Sequence, residues 1–210
     1  MLARLLVGRI MYGWSSDLTN DIAESYEAAA RSVAIDDRDP YTHYAFCWTS
    51  LLRPVHAQAL AEAQRSIDLN PNFALGFFAL GLVRVYIGHF REALDSLLRS
   101  LRLNPNDPQA GSFLSFVALA HYHQENYEEA LHYSQLAVHP RRLHLGLRIL
   151  LASLGQLGHT AEAQPLLNEF NSLQPKDPQR LFEVTTPYLD LKYREHLADG
   201  LRRAGVLTLR

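Results

Sequence analysis

The sequence predicts an all-α protein, a right-handed solenoid of about five helix-turn-helix pairs with a C-terminal capping helix. Two observations predict this fold class. Residues 65–70, Arg-Ser-Ile-Asp-Leu-Asn, recur in similar form 34 residues later at 99–104 and 34 residues earlier at 31–36. Segments almost free of charge also alternate with charged ones at near-constant intervals. A fixed period of this length is typical of a repeat array, in which each unit stacks on the next.

The first helix pair is predicted at the start of the chain. Apolar residues at helical spacing indicate a helix that ends near Gly13 and Trp14. Polar residues 15–20 supply a loop and a cap, and a second helix follows at about 21–35. Pair one therefore covers residues 1 to about 39.

Three Asp-Pro dipeptides mark predicted helix starts. Aspartate can accept a hydrogen bond from a free amide at the N-cap, and proline fits the first helical position, where no amide hydrogen is needed. We therefore expect three helices to begin at these points. The dipeptides are Asp39-Pro40, Asp107-Pro108 and Asp177-Pro178.

The remaining helices are predicted from spacing and from breaks at Pro54, Gly88 and Gly158. The repeat array is expected to cover residues 1–177. Capping helices and a tail are expected at 178–210, with a polar outer side and with Gly205 as a C-cap. The predicted helices are 41–52 and 57–69 in pair two, 73–87 and 91–103 in pair three, 109–124 and 127–138 in pair four, and 142–157 and 160–173 in pair five.

Several residues at repeat-specific positions resemble the tetratricopeptide repeat (TPR). They follow that family's pattern in order and spacing. The resemblance covers roughly residues 1–175 and implies a stack of helix pairs whose first helices line a concave groove. The residues are Leu80, Gly81, Gly88, Phe90, Ala93, Leu97 and Pro105 in pair three, and Gly158, Ala163 and Pro175 in pair five.

A narrower resemblance rests on two short motifs together with the run of repeats. Tyr12-Gly13-Trp14 and the closing residues 200–205 are similar to the C-terminal TPR region of bacterial class III adenylate and guanylate cyclases and related winged-helix regulators. The similarity implies a fragment, or a stand-alone relative, of a larger signalling protein. The sequence shows no cyclase catalytic motif.

The composition excludes several function classes. The formal net charge is −2 and the arginines are spread among acidic residues, which argues against nucleic acid, because phosphate contact needs a clustered cationic surface. The uncharged run that contains residues 110–124 is shorter than the roughly 20 residues that cross a bilayer. Cys47 is the only cysteine, so no internal disulfide can form. We therefore expect a cytoplasmic protein that binds neither membranes nor nucleic acid.

The first helices of pairs two to four carry a second apolar face. A helix that is apolar on all sides either lies inside the protein or has a partner on its second face. Aromatic residues on this face in successive repeats predict an apolar cleft, and such clefts usually mark recognition surfaces. The predicted partner-binding residues are Tyr44, Trp48, Leu51, Phe78, Leu82, Tyr86, Leu119 and Tyr122.

An apolar peptide or amphipathic helix is the expected partner of this face, because its anchors would meet aromatic pockets. Some TPR proteins grip a chaperone's terminal carboxylate with Lys and Asn, but the matching positions here include Tyr44 and Phe78, so that clamp is absent. Alternatively, the rings fill the core between helices. In a further alternative the chain is a regulatory or dimerising module, and a neighbouring domain or a second copy occupies the cleft. A small-molecule sensor is a more remote possibility.

Catalytic and metal chemistry find little support in the sequence. His121 and His123 are two residues apart, which on a helix directs them to different sides, and known zinc spacings are not met. No serine lies in a nucleophile-elbow pattern, and Gly-rich phosphate loops are missing. Cys47 is interpreted as a buried packing residue at the position of a TPR glycine. We expect a non-catalytic protein without metal or cofactor.

Overall fold

Twelve α-helices make up the described part of the chain, residues 1–138, 144–173 and 177–206 of a computed structural model. No strand occurs within these ranges. The predicted fold class is therefore confirmed. The helices are α1 (Leu2–Met11), α2 (Leu18–Ile35), α3 (Pro40–Leu52), α4 (His56–Leu69), α5 (Ala74–Tyr86), α6 (Phe90–Leu103), α7 (Ala110–His123), α8 (Tyr127–Val138), α9 (His144–Leu157), α10 (Thr160–Ser172), α11 (Pro178–Thr185) and α12 (Leu191–Arg203).

The first ten helices form a two-layered stack. Each helix packs on the next one along the chain, and the odd-numbered helices α1, α3, α5, α7 and α9 also pack on one another. The odd-numbered helices therefore form an inner layer, and the even-numbered ones lie outside it. This is the predicted right-handed solenoid of helix pairs. No described helix has the length and apolar character that a bilayer crossing requires.

Repeated serines explain part of the 34-residue period. The Ser66 hydroxyl on α4 donates to the carbonyl of Pro40 at 2.8 Å, and the Ser100 hydroxyl on α6 donates to the carbonyl of Ala74 at 2.7 Å. In each case the outer helix binds the first turn of the inner helix of its own pair. The period thus repeats a specific contact as well as a hydrophobic pattern.

Small residues set the distance between the helices of a pair. A Cβ atom added to Gly81 on α5 would lie 2.6 Å from Cγ of Leu97 on α6, so only glycine permits this approach. Cys47 occupies the equivalent position in α3 and is completely buried. Burial raises the pKa of its thiol. The interpretation of Cys47 as a packing residue is confirmed.

Two of the three predicted Asp-Pro helix starts are confirmed. Asp39 and Asp177 are N-caps whose carboxylates accept from the amides of Tyr41 and Arg180. The third start is wrong by two residues, since α7 begins at Ala110. Asp107 instead accepts from the amide of Gln109 and closes a turn before the helix.

The remaining predicted boundaries agree closely with the structure. Gly205 has a φ of +99° and follows the last turn of α12, where its amide bonds to Arg202 and the amide of Val206 bonds to Leu201. The predicted start at Arg142 and the predicted terminator Pro175 lie outside the described residues.

The C-terminal helix has the polar outer side that was predicted. It covers two inner helices, α9 and α7, rather than only the end of the stack. Leu197, Ala198 and Leu201 of α12 are buried, and the helix packs on α9 and reaches α7. Two glycines permit this crossing: a Cβ on Gly155 would lie 2.0 Å from the carbonyl oxygen of Gly200. At the other side of the stack, α11 meets α1.

Gly155→Ala and Gly200→Ala should each lower the free energy of unfolding by about 1–3 kcal/mol or more, because the new methyl group would overlap backbone atoms of the facing helix. Gly8→Ala is the matched control. Nothing lies within 4 Å of a Cβ at Gly8, so alanine should raise the free energy of unfolding by up to about 1 kcal/mol through helix propensity. Urea unfolding monitored by circular dichroism measures all three. Equal effects of the three substitutions would contradict the close crossing of α9 and α12.

Candidate partner-binding groove

The structure brings the eight predicted partner-binding residues together on α3, α5 and α7. All eight belong to one apolar cluster. Their rings touch across neighbouring helices: the Trp48 and Phe78 ring centroids are 6.0 Å apart, and Phe78 stacks on Phe113 at 4.2 Å. The predicted sharing of one face by these residues is therefore seen.

The same residues are much less accessible than the sequence suggested. The most exposed of the eight, Trp48, has a relative exposure of 6%, and Leu82 and Tyr122 have 0%. The sequence could not show the reason, which is that α1 packs on α3 and that the C-terminal segment folds back over α5 and α7. Contact between these eight residues and a partner stays a prediction.

The segment 177–206 covers the ends of α5 and α7. The Tyr86 hydroxyl donates to the carbonyl of Thr185 at 3.0 Å, and the amide of Leu189 donates to the carbonyl of Tyr86 at 2.9 Å. The Tyr122 hydroxyl donates to the carbonyl of His196 at 2.8 Å. Two residues predicted to bind a partner therefore bind the chain's own C-terminal segment.

A histidine and tyrosine cluster lies at this contact. The His123 Nε2 atom is 2.6 Å from the Tyr188 hydroxyl, and its Nδ1 atom is 3.3 Å from Nδ1 of His196. The Tyr127 hydroxyl is 2.9 Å from Nε2 of His196. Burial lowers the pKa of His123 well below its ordinary value, and the neighbouring His196 lowers it further; burial also lowers the pKa of His196.

The two histidines considered as metal ligands have separate packing partners. The His121 ring stacks on Tyr133 with centroids 5.3 Å apart, whereas His123 packs on Phe90 and Tyr188. Within residues 1–138, 144–173 and 177–206, no three His, Cys, Asp or Glu side chains group as metal ligands would.

Arg148 on α9 is a part of this contact that the sequence analysis missed. Its side chain is buried, its Nη1 atom donates to the Thr185 hydroxyl at 3.1 Å, and its guanidinium lies 5.3 Å from the Phe182 ring centroid. Burial lowers its pKa to about 10. Helical spacing cannot reveal these partners, because they lie 34 or more residues away in the chain.

Helix α1, the first helix of the inner layer, packs on α3. Val7 and Ile10 are buried in the same apolar cluster as Trp48. The Arg4 guanidinium lies 5.0 Å from the Tyr44 ring centroid and 5.4 Å from that of Trp48. By contrast, Leu5 is 61% exposed. The helix thus buries one side against the inner layer and leaves apolar side chains in solvent on the other.

An open cavity with a volume of about 570 Å³ lies between α1 and the inner helices. Its floor includes Trp48 and Phe78, two of the eight predicted residues, and its rim includes exposed Leu5 and Trp14. We name it the α1 cavity. The lining residues are Arg4, Leu5, Val7, Gly8, Arg9, Met11, Tyr12, Trp14, Trp48, Phe78, Gln109, Ser112, Phe116 and Leu145.

With this architecture, the chain has the TPR fold, as solved structures show independently. A Pseudomonas aeruginosa PilF structure aligns over 98% of this chain and 87% of its own with a TM-score of 0.65 and 12% identity. YrrB, described as a TPR protein with an unusual peptide-binding site, aligns over 85% of this chain and 91% of its own with a TM-score of 0.52 and 21% identity. A MamA variant, RS-1 ArsTM, aligns over 82% and 94% with a TM-score of 0.57 and 16% identity. No family model and no curated protein matches the sequence.

The histidine cluster predicts lower stability at acidic pH. Because the folded state lowers the pKa of His123 and His196, the unfolded state binds more protons below about pH 6.5, and stability falls as the pH falls. For buried His123 the slope approaches about 1.4 kcal/mol per pH unit. Glu125, Asp199 and Arg203 also act on His196: the two carboxylates raise its pKa and the arginine lowers it, which changes its contribution to the pH dependence of stability.

Urea unfolding of the unsubstituted protein and of His123→Gln between pH 7.5 and 5.5 measures how steeply the free energy of unfolding depends on pH. The substitution removes the buried titrating ring, so its stability should change less with pH than that of the unsubstituted protein. His132→Gln is the control, because His132 is exposed on α8. A slope in His123→Gln as steep as in the control would contradict the assignment.

Proposed function

We propose that this protein is a non-catalytic interaction scaffold that binds an apolar peptide or an amphipathic helix of another protein. The observation that carries the proposal is the α1 cavity, an open apolar space at the inner layer of a TPR fold. Exposed apolar side chains around such a space favour a recognition site over a surface in permanent contact with water. YrrB offers a precedent for peptide binding by this fold.

The eight predicted residues take unequal parts in this proposal. Trp48 and Phe78 line the α1 cavity and would contact the partner directly. Deeper residues would support them from below. This deeper group consists of Tyr44, Leu51, Leu82, Tyr86, Leu119 and Tyr122.

The proposed partner needs anchors rather than a long strand. A helix that places apolar side chains at i, i+3 and i+4 would enter the cavity from the side where Leu5 and Trp14 are exposed. The proposal includes a cytoplasmic location, in which the buried thiol of Cys47 stays reduced.

A second candidate function is a regulatory or dimerising module, as the resemblance to nucleotide cyclases and winged-helix regulators implies. The exposed apolar end of α1 favours it: Met1 is 88% exposed and Leu2 45%. In that case a second copy or a neighbouring domain would cover α1. Light scattering over a range of protein concentrations distinguishes the two, because self-association through α1 would give a dimer that Leu2→Gln disperses.

Leu5→Gln should weaken partner binding about fivefold, because Leu5 is 61% exposed on the cavity rim and its burial in a complex contributes about 1 kcal/mol. Leucine and glutamine have similar helix propensities, so α1 should stay intact. Leu191→Gln is the matched control, since Leu191 is also 61% exposed but lies on α12.

The measurement is quantitative recovery of bound proteins from lysate, followed by titration of the recovered partner with each variant. Loss of binding in Leu5→Gln alone supports the α1 cavity. Equal recovery by both variants at unchanged helicity would remove the cavity from the proposal.

A further inference from the structure

One arginine that lines the α1 cavity has no acidic partner within the described residues. Two of its lining residues are arginines, Arg4 and Arg9, and none is acidic. Arg9 already has an acidic partner, because its Nη2 atom lies 3.5 Å from a carboxylate oxygen of Asp21. Arg4 forms no ion pair with any residue in the described ranges. An apolar cavity with one unpaired cation is complementary to an apolar partner with one anion.

Packing holds the Arg4 guanidinium in place. It lies over the rings of Tyr44 and Trp48, and its Nη2 atom has only a long contact of 3.5 Å to the Gln109 side-chain oxygen. These contacts restrict the position of the guanidinium while its N–H groups keep most of their donor capacity. A group held in this way loses little conformational entropy when it binds a carboxylate.

We propose that the bound segment carries an acidic side chain whose carboxylate binds Arg4, while neighbouring apolar side chains of the segment fill the α1 cavity. The inference rests on the function proposed above and defines the chemistry of its partner. A partner without this carboxylate would cover Arg4 and leave its charge unpaired at an apolar interface, which is unfavourable. The Arg4 fork can bind both carboxylate oxygens at once.

An acidic side chain within the segment fits better than a terminal carboxylate. Exposed apolar residues lie on both sides of Arg4: Met1 and Leu2 before it, and Leu5 and Trp14 after it. The partner chain therefore has apolar surface to contact beyond Arg4 in both directions, which a chain ending at Arg4 would not use.

The test uses the full chain and a library of short peptides with leucine at helical spacing. Each peptide is made with glutamate, and again with glutamine, at one position between the leucines, and all peptides have amidated C termini. A second set carries glutamine and a free C-terminal carboxylate. Affinities are measured by fluorescence anisotropy at low and high salt. The protein variants are Arg4→Gln, Arg4→Lys, Leu5→Gln and Arg31→Gln.

The unsubstituted protein should bind the best glutamate peptide about tenfold more tightly than its glutamine version, which corresponds to about 1.4 kcal/mol. Arg4→Gln should bind the glutamate and glutamine peptides equally. Arg4→Lys should keep part of the preference for glutamate, since lysine retains the charge but not the two-pronged guanidinium. Arg31→Gln is the control, because Arg31 pairs with Glu27 on α2, away from the cavity, and its side chain is 63% exposed. Its ratio should equal that of the unsubstituted protein.

The possible failures are distinguishable. Equal binding of glutamate and glutamine peptides, together with weaker binding by Leu5→Gln, would overturn the carboxylate proposal and leave the scaffold function standing. A glutamate preference that persists in Arg4→Gln would also overturn it, as would tighter binding of the free-carboxylate set. If no peptide binds the unsubstituted protein, both the carboxylate and the peptide-binding function are overturned.

Discussion

The inner helices α3, α5 and α7 are apolar on both sides, and the need to cover the second side constrains the rest of the structure. Helix α3 has no charged residue, and α5 has only Arg84, which donates to Ser96 and the Glu92 carbonyl on α6. The outer helices cover one side of the inner layer. Water against the other side would leave a large apolar area exposed, which soluble monomers rarely do. Helix α1 packs on α3, and the C-terminal segment with α11 and α12 covers the ends of α5 and α7.

The repeat architecture could be predicted because its causes are local. Residues 65–70 and 99–104 place Ser66 and Ser100 at the same contact, and Gly81 and Cys47 mark the same helix crossing. A period, a small residue and an Asp-Pro dipeptide are visible in sequence. Asp107 shows the limit of such signals, because its side chain caps a turn as readily as a helix.

The cover over the groove could not be predicted, because its causes are distant in the chain. The residues around Tyr86 give no sign that its hydroxyl donates to the carbonyl of Thr185. Those around Gly155 likewise give no sign of the close approach to Gly200. Both faces of an apolar helix look alike in sequence, whether the second face meets a partner or the chain's own terminus. Arg4 was missed for a related reason: it lies in the first helix, whereas the sequence analysis compared clamp positions only in later ones.

The segment 177–206 covers the ends of α5 and α7, and we propose that the α1 cavity remains open for a partner. Hydrogen–deuterium exchange with and without a bound peptide measures this most directly. Amides of α12, such as those of residues 197–201, should exchange slowly in both states, and amides of α1 should slow only when peptide is present. Faster exchange in α12 on peptide binding, with α1 unchanged, would show that the partner displaces the terminal segment and would contradict the account.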